Sequence, residues 1–96
     1  NIGRVEIIMN ELIRYRQELD LIDIELKQLF LKRMSIIKKI TEYKKENNIA
    51  ITDNARETEI FNKLLININD TDKKYYKEYL TSIINISKEY QRDNLK

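Results

Sequence analysis

The chain has 96 residues, with 18 basic and 16 acidic side chains, a net charge of +2, and neither cysteine nor histidine. This composition excludes disulfides, thiolate nucleophiles, imidazole bases and the usual zinc and transition-metal ligands, so we expect no site for such a metal. The charges are interleaved and form no basic face, which argues against a nucleic-acid partner. The length fits a single domain over residues 1–96 with a small core, which favours association with further chains.

The apolar runs are too short to cross a membrane, and the N-terminus lacks the pattern of a signal peptide. We therefore expect a cytoplasmic protein without a membrane partner. Residues 1–8 precede Met9, and two interpretations of them stay open, an extension or an expression remnant ahead of an internal start.

The first predicted element is one long helix from about Ile7 to Glu46. Proline is absent and the only glycine is Gly3, so nothing interrupts the helical period. Two rows of residues recur every seven positions and form what we call the apolar seam. The rows are Leu12, Leu19, Leu26, Arg33 and Ile40, and Tyr15, Ile22, Leu29, Ile36 and Tyr43. A helix of roughly 40 residues is about 60 Å long, so we expect a second chain to cover part of the seam.

A shorter second helix follows a loop. Asn47 and Asn48 are the predicted stop of the first helix, because asparagine tolerates the left-handed conformation that closes helices. Asp53 or Asn54 then caps a helix of about 14 residues that ends near Asn67.

The third predicted helix starts after the turn-forming run NINDTD, residues 67–72, and has about 20 residues ending near Arg92. Its apolar face continues toward the C-terminus into Ser87 and Gln91, which are polar. Either the face frays there, or these two side chains serve a ligand. The apolar positions are Tyr76, Leu80, Ile83 and Ile84. The fold class is therefore all-α, with three helices per chain, one long and two shorter.

Arg33 is the only charged residue in the apolar seam. Burying a guanidinium without a partner is costly, so it either forms an ion pair that sets helix register or binds a ligand carboxylate. Lys44 lies eleven residues further on, about 16 Å along the helix, and the two cations could hold a small dianion between them. Arg16 shares the heptad position of Lys44 but lies about 42 Å away, so it could complete such a site only from a second, antiparallel chain.

The segment TDNARETEIF, residues 52–61, also has two interpretations. Asn54 followed by Glu57 fits a capping box, and Asp53 favours a helix N-terminus. Alternatively, Arg56 and Glu57 lie on the first turn after the loop, near the end of the helix that carries Lys44, and contribute to a ligand site.

Taken together, these motifs resemble the all-helical AroQ class, or type II, of chorismate mutase from about Met9 to Gln91. The resemblance lies in three segments, RQELDLIDIELKQLFLKRMSIIKKITEYKKEN, ITDNARETEIFNKL and SIINISKEYQ. It implies an intertwined helical homodimer with two active sites, each of which takes one arginine from the other chain. It also implies that no cofactor is needed.

The resemblance assigns a role to each motif residue. Arg16 would come from the partner chain, while Arg33 and Lys44 would bind the substrate carboxylates of chorismate. Lys44 and Gln91 would donate to the ether oxygen, and Ser87 would contact a carboxylate.

Three further residues complete the implied site. Asp53 would hold the loop and second helix around the substrate, Arg56 would orient the site, and Glu57 would accept a hydrogen bond from the ring hydroxyl. Ala50 departs from the family, in which many members have proline, and this suggests a more mobile loop.

The implied function is the rearrangement of chorismate to prephenate in phenylalanine and tyrosine biosynthesis, within the shikimate pathway. This intramolecular reaction needs no nucleophile or metal, which agrees with the missing cysteine and histidine. Two alternatives stay open. One is an isochorismate pyruvate lyase on the same fold, and the other is a non-catalytic helical dimerisation module in which Arg33 only sets register.

Overall fold

A computed structural model of the protein describes residues 2–95. They form three α-helices, α1 (Ile2–Asn47), α2 (Asn54–Leu64) and α3 (Asp70–Asn94), and contain no strand. The predicted all-α fold with three helices is therefore confirmed. The lengths are 46, 11 and 25 residues, so the first and third helices are longer than predicted and the second is shorter. None of the helices in residues 2–95 is both long and apolar enough to cross a membrane.

The end of α1 follows the prediction. Asn48 adopts a left-handed conformation with φ of 53°, and the backbone N–H of Ile49 donates to the carbonyl of Lys44 at 2.9 Å. This bond closes the last turn and satisfies a carbonyl that the helix leaves without a partner.

Asparagine and aspartate side chains start the other two helices. Asp53 is the N-cap of α2, and its Oδ1 accepts from the backbone N–H of Arg56 at 3.0 Å. Asn54 is already helical, so the capping box from Asn54 to Glu57 is wrong. Asn69 is the N-cap of α3 and accepts from the backbone N–H of Asp72 at 2.8 Å.

The helix α2 ends earlier than predicted. Leu65 is its C-cap, and the backbone N–H of Leu65 donates to the carbonyl of Phe61 at 3.0 Å. Asn67, which lies two residues further on, is left-handed with φ of 58°. The chain therefore turns between Leu65 and Asn69, and the segment before Asn67 belongs to the turn.

The packing divides the chain into two units, which meet in the sequence between Arg33 and Met34. In the first unit, every residue of α1 from Ile2 to Lys32 is exposed. The seam residues Leu12, Leu19 and Leu26 are exposed by 37%, 56% and 41%. The first unit therefore has no core of its own within this chain.

The second unit contains all the residues that are buried in the described part of the chain. Its apolar core consists of Ile37 from α1 and of Leu80 and Ile84 from α3, and α2 packs against α3. Buried polar side chains continue this core. They are Thr41, Ser87 and Gln91.

Candidate active site

The buried face of α3 changes from apolar to polar toward its C-terminus. Ser87 is 5% exposed and Gln91 is 4% exposed, and both share a face with Leu80 and Ile84. The interpretation that this face frays is therefore wrong. Ser87 Oγ donates to the carbonyl of Ile83 at 3.0 Å, and Gln91 Nε2 donates to the carbonyl of Ser87 at 3.1 Å.

Lys44 links three segments of the second unit. Its Nζ donates to the carbonyl of Ile51, in the loop after α1, and to Gln91 Oε1 on α3, both at 2.9 Å. Because the amide oxygen of Gln91 accepts from Lys44, the amide NH₂ faces the other way. An ammonium has three N–H donors and an amide has two, so each group keeps one donor for a ligand beyond these described bonds.

The charge of Lys44 is balanced by no carboxylate among the described residues. Both of its hydrogen-bond partners are neutral oxygens, and the ion pairs of residues 2–95 do not include it. Lys44 is also half-buried. A half-buried cation with neutral partners attracts an anion, since solvent screens it only in part.

Glu57 lies in the first turn of α2 and forms an ion pair with α3. Lys88 Nζ donates to Glu57 Oε1 at 3.0 Å, and the two side chains are only 22% and 24% exposed. Lys88 is not among the site residues predicted from the sequence. Its position directly after Ser87 and three residues before Gln91, on one helix, was the signal that could have found it.

The two other predicted residues on this side of the loop have local partners. Asp53 caps α2, and Arg56 forms an exposed ion pair with Glu59 at 2.8 Å on its own helix. Glu59 also pairs with Lys63 at 3.2 Å. The hydrogen bond and the charge of Lys63, followed by the charge of Arg56, hold the pKa of Glu59 below its usual value.

A comparison with known families gives an independent result. The family model described as chorismate mutase type II matches residues 15–92. The chain belongs to the type II chorismate mutase family. Searches of curated proteins and of solved structures gave no significant match.

The matched range of this chorismate mutase family member includes every predicted site residue, from Arg16 to Gln91. The second unit brings together Lys44, Ser87 and Gln91, with Glu57 paired to the residue that follows Ser87. This is the part of the predicted site for which the structure gives a geometry.

The remaining two arginines lie in the first unit, on α1. Arg16 is exposed and Arg33 is half-buried. Their predicted roles in substrate binding stay predictions. Within residues 2–95, no three acidic side chains are grouped closely enough to hold a metal ion.

Proposed function

We propose that this protein is a chorismate mutase, which isomerises chorismate to prephenate in phenylalanine and tyrosine biosynthesis in the cytoplasm. The observation that carries the proposal is Lys44. Its half-buried ammonium has two neutral acceptors and one remaining N–H, and it holds the Gln91 amide with one N–H available. Lys44 and Gln91 are thus joined by a hydrogen bond, and each keeps one N–H for a ligand; a reaction that develops negative charge uses such donors.

The reaction rearranges bonds within one molecule. The bond between the ether oxygen and the ring carbon breaks while a carbon–carbon bond forms between the side chain and the ring. The ether oxygen becomes the ketone oxygen of prephenate, and no proton has to move. Negative charge grows on that oxygen in the transition state. Donors from Lys44 and Gln91 bind it more strongly there than in the ground state, which accelerates the reaction.

The enzyme must also hold a flexible dianion in its compact reactive conformation. We assign the two carboxylates to Arg33 and Lys44 of one chain and to Arg16 of a partner chain, with Ser87 as a further contact. The planar guanidinium fits a carboxylate with two parallel hydrogen bonds. The support for Arg33 is its eleven-residue spacing from Lys44 on one helix.

Around the ring of the substrate, we assign three residues of the segment from the loop into α2. Glu57 accepts a hydrogen bond from the ring hydroxyl, and Asp53 fixes the start of α2, where it is the N-cap. Arg56 orients the site. Its exposed ion pair with Glu59 is of the kind that contributes little to stability, so it can be exchanged for a ligand contact.

The proposal includes an intertwined homodimer. Its support is the apolar seam residues of the first unit, from Leu12 to Leu29, which are all exposed in this chain. Soluble proteins rarely expose continuous apolar surface of this length unless a partner covers it. If two α1 helices pair antiparallel, Arg16 of each chain reaches the site of the other.

The test is direct. Purified protein is mixed with chorismate, the loss of chorismate absorbance is followed, and the product is identified. We expect prephenate. Lys44→Met should abolish most of the activity because it removes the ammonium and keeps the apolar stem. The matched control is Lys45→Met on the same helix, whose side chain is exposed and which should retain activity.

Other outcomes would point to the alternatives. Release of pyruvate from isochorismate, without prephenate from chorismate, would identify a lyase on the same fold. Turnover of neither compound, together with an intact dimer, would favour a dimerisation module.

A further inference from the structure

The ion pair between Lys88 and Glu57 differs from the others in residues 2–95. The other three connect residues of a single helix, and their side chains are 51–69% exposed. The Lys88–Glu57 pair joins α3 to α2, and its side chains are 22% and 24% exposed. The proposed reaction uses Glu57 but gives no role to Lys88.

We propose that Lys88 is a positioning residue that determines which ring substituent the site accepts. This inference rests on the proposed function, in which Glu57 receives the ring hydroxyl of the substrate. Lys88 holds the carboxylate by Oε1, which leaves Oε2 to face a ligand. Lys88 thereby fixes the direction of the acceptor and compensates its negative charge.

The compensated charge has a consequence for specificity. A carboxylate without a counter-ion binds a protonated amine more strongly than a neutral hydroxyl, because the charges attract. A carboxylate that is already paired with Lys88 still offers its second oxygen as a hydrogen-bond acceptor to a neutral hydroxyl. An ammonium at that position would instead lie near a second cation. Specificity is a difference of two affinities, and Lys88 lowers the one for the cationic ligand.

A purely structural role would look different. If Lys88 only ties α3 to α2, its loss would lower thermal stability and reduce turnover of all substrates by a similar factor. The ratio between two substrates that differ only in charge at the ring substituent would not change. This ratio is therefore the informative measurement.

The experiment compares kcat/KM for chorismate with kcat/KM for the analogue that carries an amine in place of the ring hydroxyl. In Lys88→Met, the ratio of amine to hydroxyl substrate should rise by about tenfold, the lower end of what a hydrogen bond to a charged group contributes. The change should appear mainly in KM. Lys88→Arg should keep the ratio of the unmodified protein, because it keeps the positive charge.

Two further variants make the result decisive. Lys88→Gln keeps a hydrogen-bond donor without the charge, and it should raise the ratio in the same way even if Lys88→Met folds poorly. Lys63→Met is the matched control, since it removes a lysine that pairs with a glutamate of α2 at an exposed position, and it should leave the ratio unchanged.

The failures can be told apart. If the uncharged variants turn over chorismate but keep the original ratio, the specificity role of Lys88 is wrong and the proposed function stands. If the unmodified protein turns over neither substrate, the proposed function is wrong, and the role of Lys88 falls with it.

Discussion

The two units of the chain place polar and apolar side chains in opposite ways. In the first unit, apolar side chains such as Leu19 and Leu26 are exposed along a helix with no core beneath it. In the second unit, the polar side chains of Thr41, Ser87 and Gln91 are buried, and each has a hydrogen-bond partner.

The first arrangement is unfavourable in an isolated chain, because apolar surface avoids water. The second is not, because the buried polar groups have hydrogen-bond partners. The two units therefore differ in the kind of partner that they can bind. The first unit presents a surface suited to another protein chain, and the second presents donors suited to a small anion.

The largest effect is expected from a charge in the apolar seam. Leu19→Asp would place a carboxylate in the proposed dimer interface, at a cost of at least about 2 kcal/mol for each copy. A dimer contains two copies, so its dissociation constant should rise by about a thousandfold. Sedimentation or light scattering over a range of concentrations measures this change, and activity should fall with the dimer.

The control for that variant is Leu21→Asp. Leu21 is 65% exposed and lies outside both rows of the seam, so the same new charge should change dissociation far less. Equal effects of the two substitutions would contradict the assignment of the seam as the interface.

The next effect tests whether one active site combines Arg16 of one chain with Lys44 of another. Arg16→Ala and Lys44→Ala should each reduce activity by about 10² to 10³ while the helix content is kept. When the two variants exchange subunits, each mixed dimer contains one site with both residues intact. About a quarter of all sites should then be restored, given random exchange into twofold dimers. No recovery after demonstrated exchange would argue for sites built within one chain.

The smallest effect is expected for the exposed ion pairs, whose contribution to stability should be similarly small in the two units. The pKa of Glu59 is below its ordinary value of 4.5 because of the hydrogen bond and charge of Lys63 and the charge of Arg56. A carboxyl with a lowered pKa in the folded state contributes stability above its unfolded pKa, and this contribution is lost as the pH falls through the folded value.

Glu59→Gln should therefore lower the thermal midpoint slightly at neutral pH, and the difference should vanish in acid. Glu11→Gln removes the exposed pair with Arg14 in the first unit. It should change the thermal midpoint as little as Glu59→Gln does. Thermal scans at neutral and acidic pH measure both variants. A large shift for either variant would show that exposed pairs matter more than their solvent screening suggests.

The sequence predicted the fold well where the chain carries strong local signals. The unbroken helical period gave α1, and Asn48 closes it in the left-handed conformation that was expected. The length of α2 was overestimated because Leu65 and Ile66 continue a helical pattern, whereas the chain turns before Asn67. Apolar spacing alone does not distinguish the last turn of a helix from apolar residues in the turn that follows it.

The candidate site could be predicted only in part. The position of Ser87 and Gln91 on the apolar face of α3 left fraying and a ligand site open, and their burial in the structure excludes the first. The partner of Glu57 did not follow, because Lys88 is 31 residues away and many lysines in this chain have similar local surroundings. Which of them pairs with Glu57 depends on how α2 packs against α3, and helical periodicity does not contain that information.

The hydrogen bond from Lys44 to the carbonyl of Ile51 constrains the length of the loop after α1 but not its side chains. The acceptor belongs to the backbone, so the side chains of residues 49–52 can change without loss of the bond. An insertion or deletion there would move the carbonyl away from the ammonium. Across evolution, this loop should therefore vary in composition while it keeps its length.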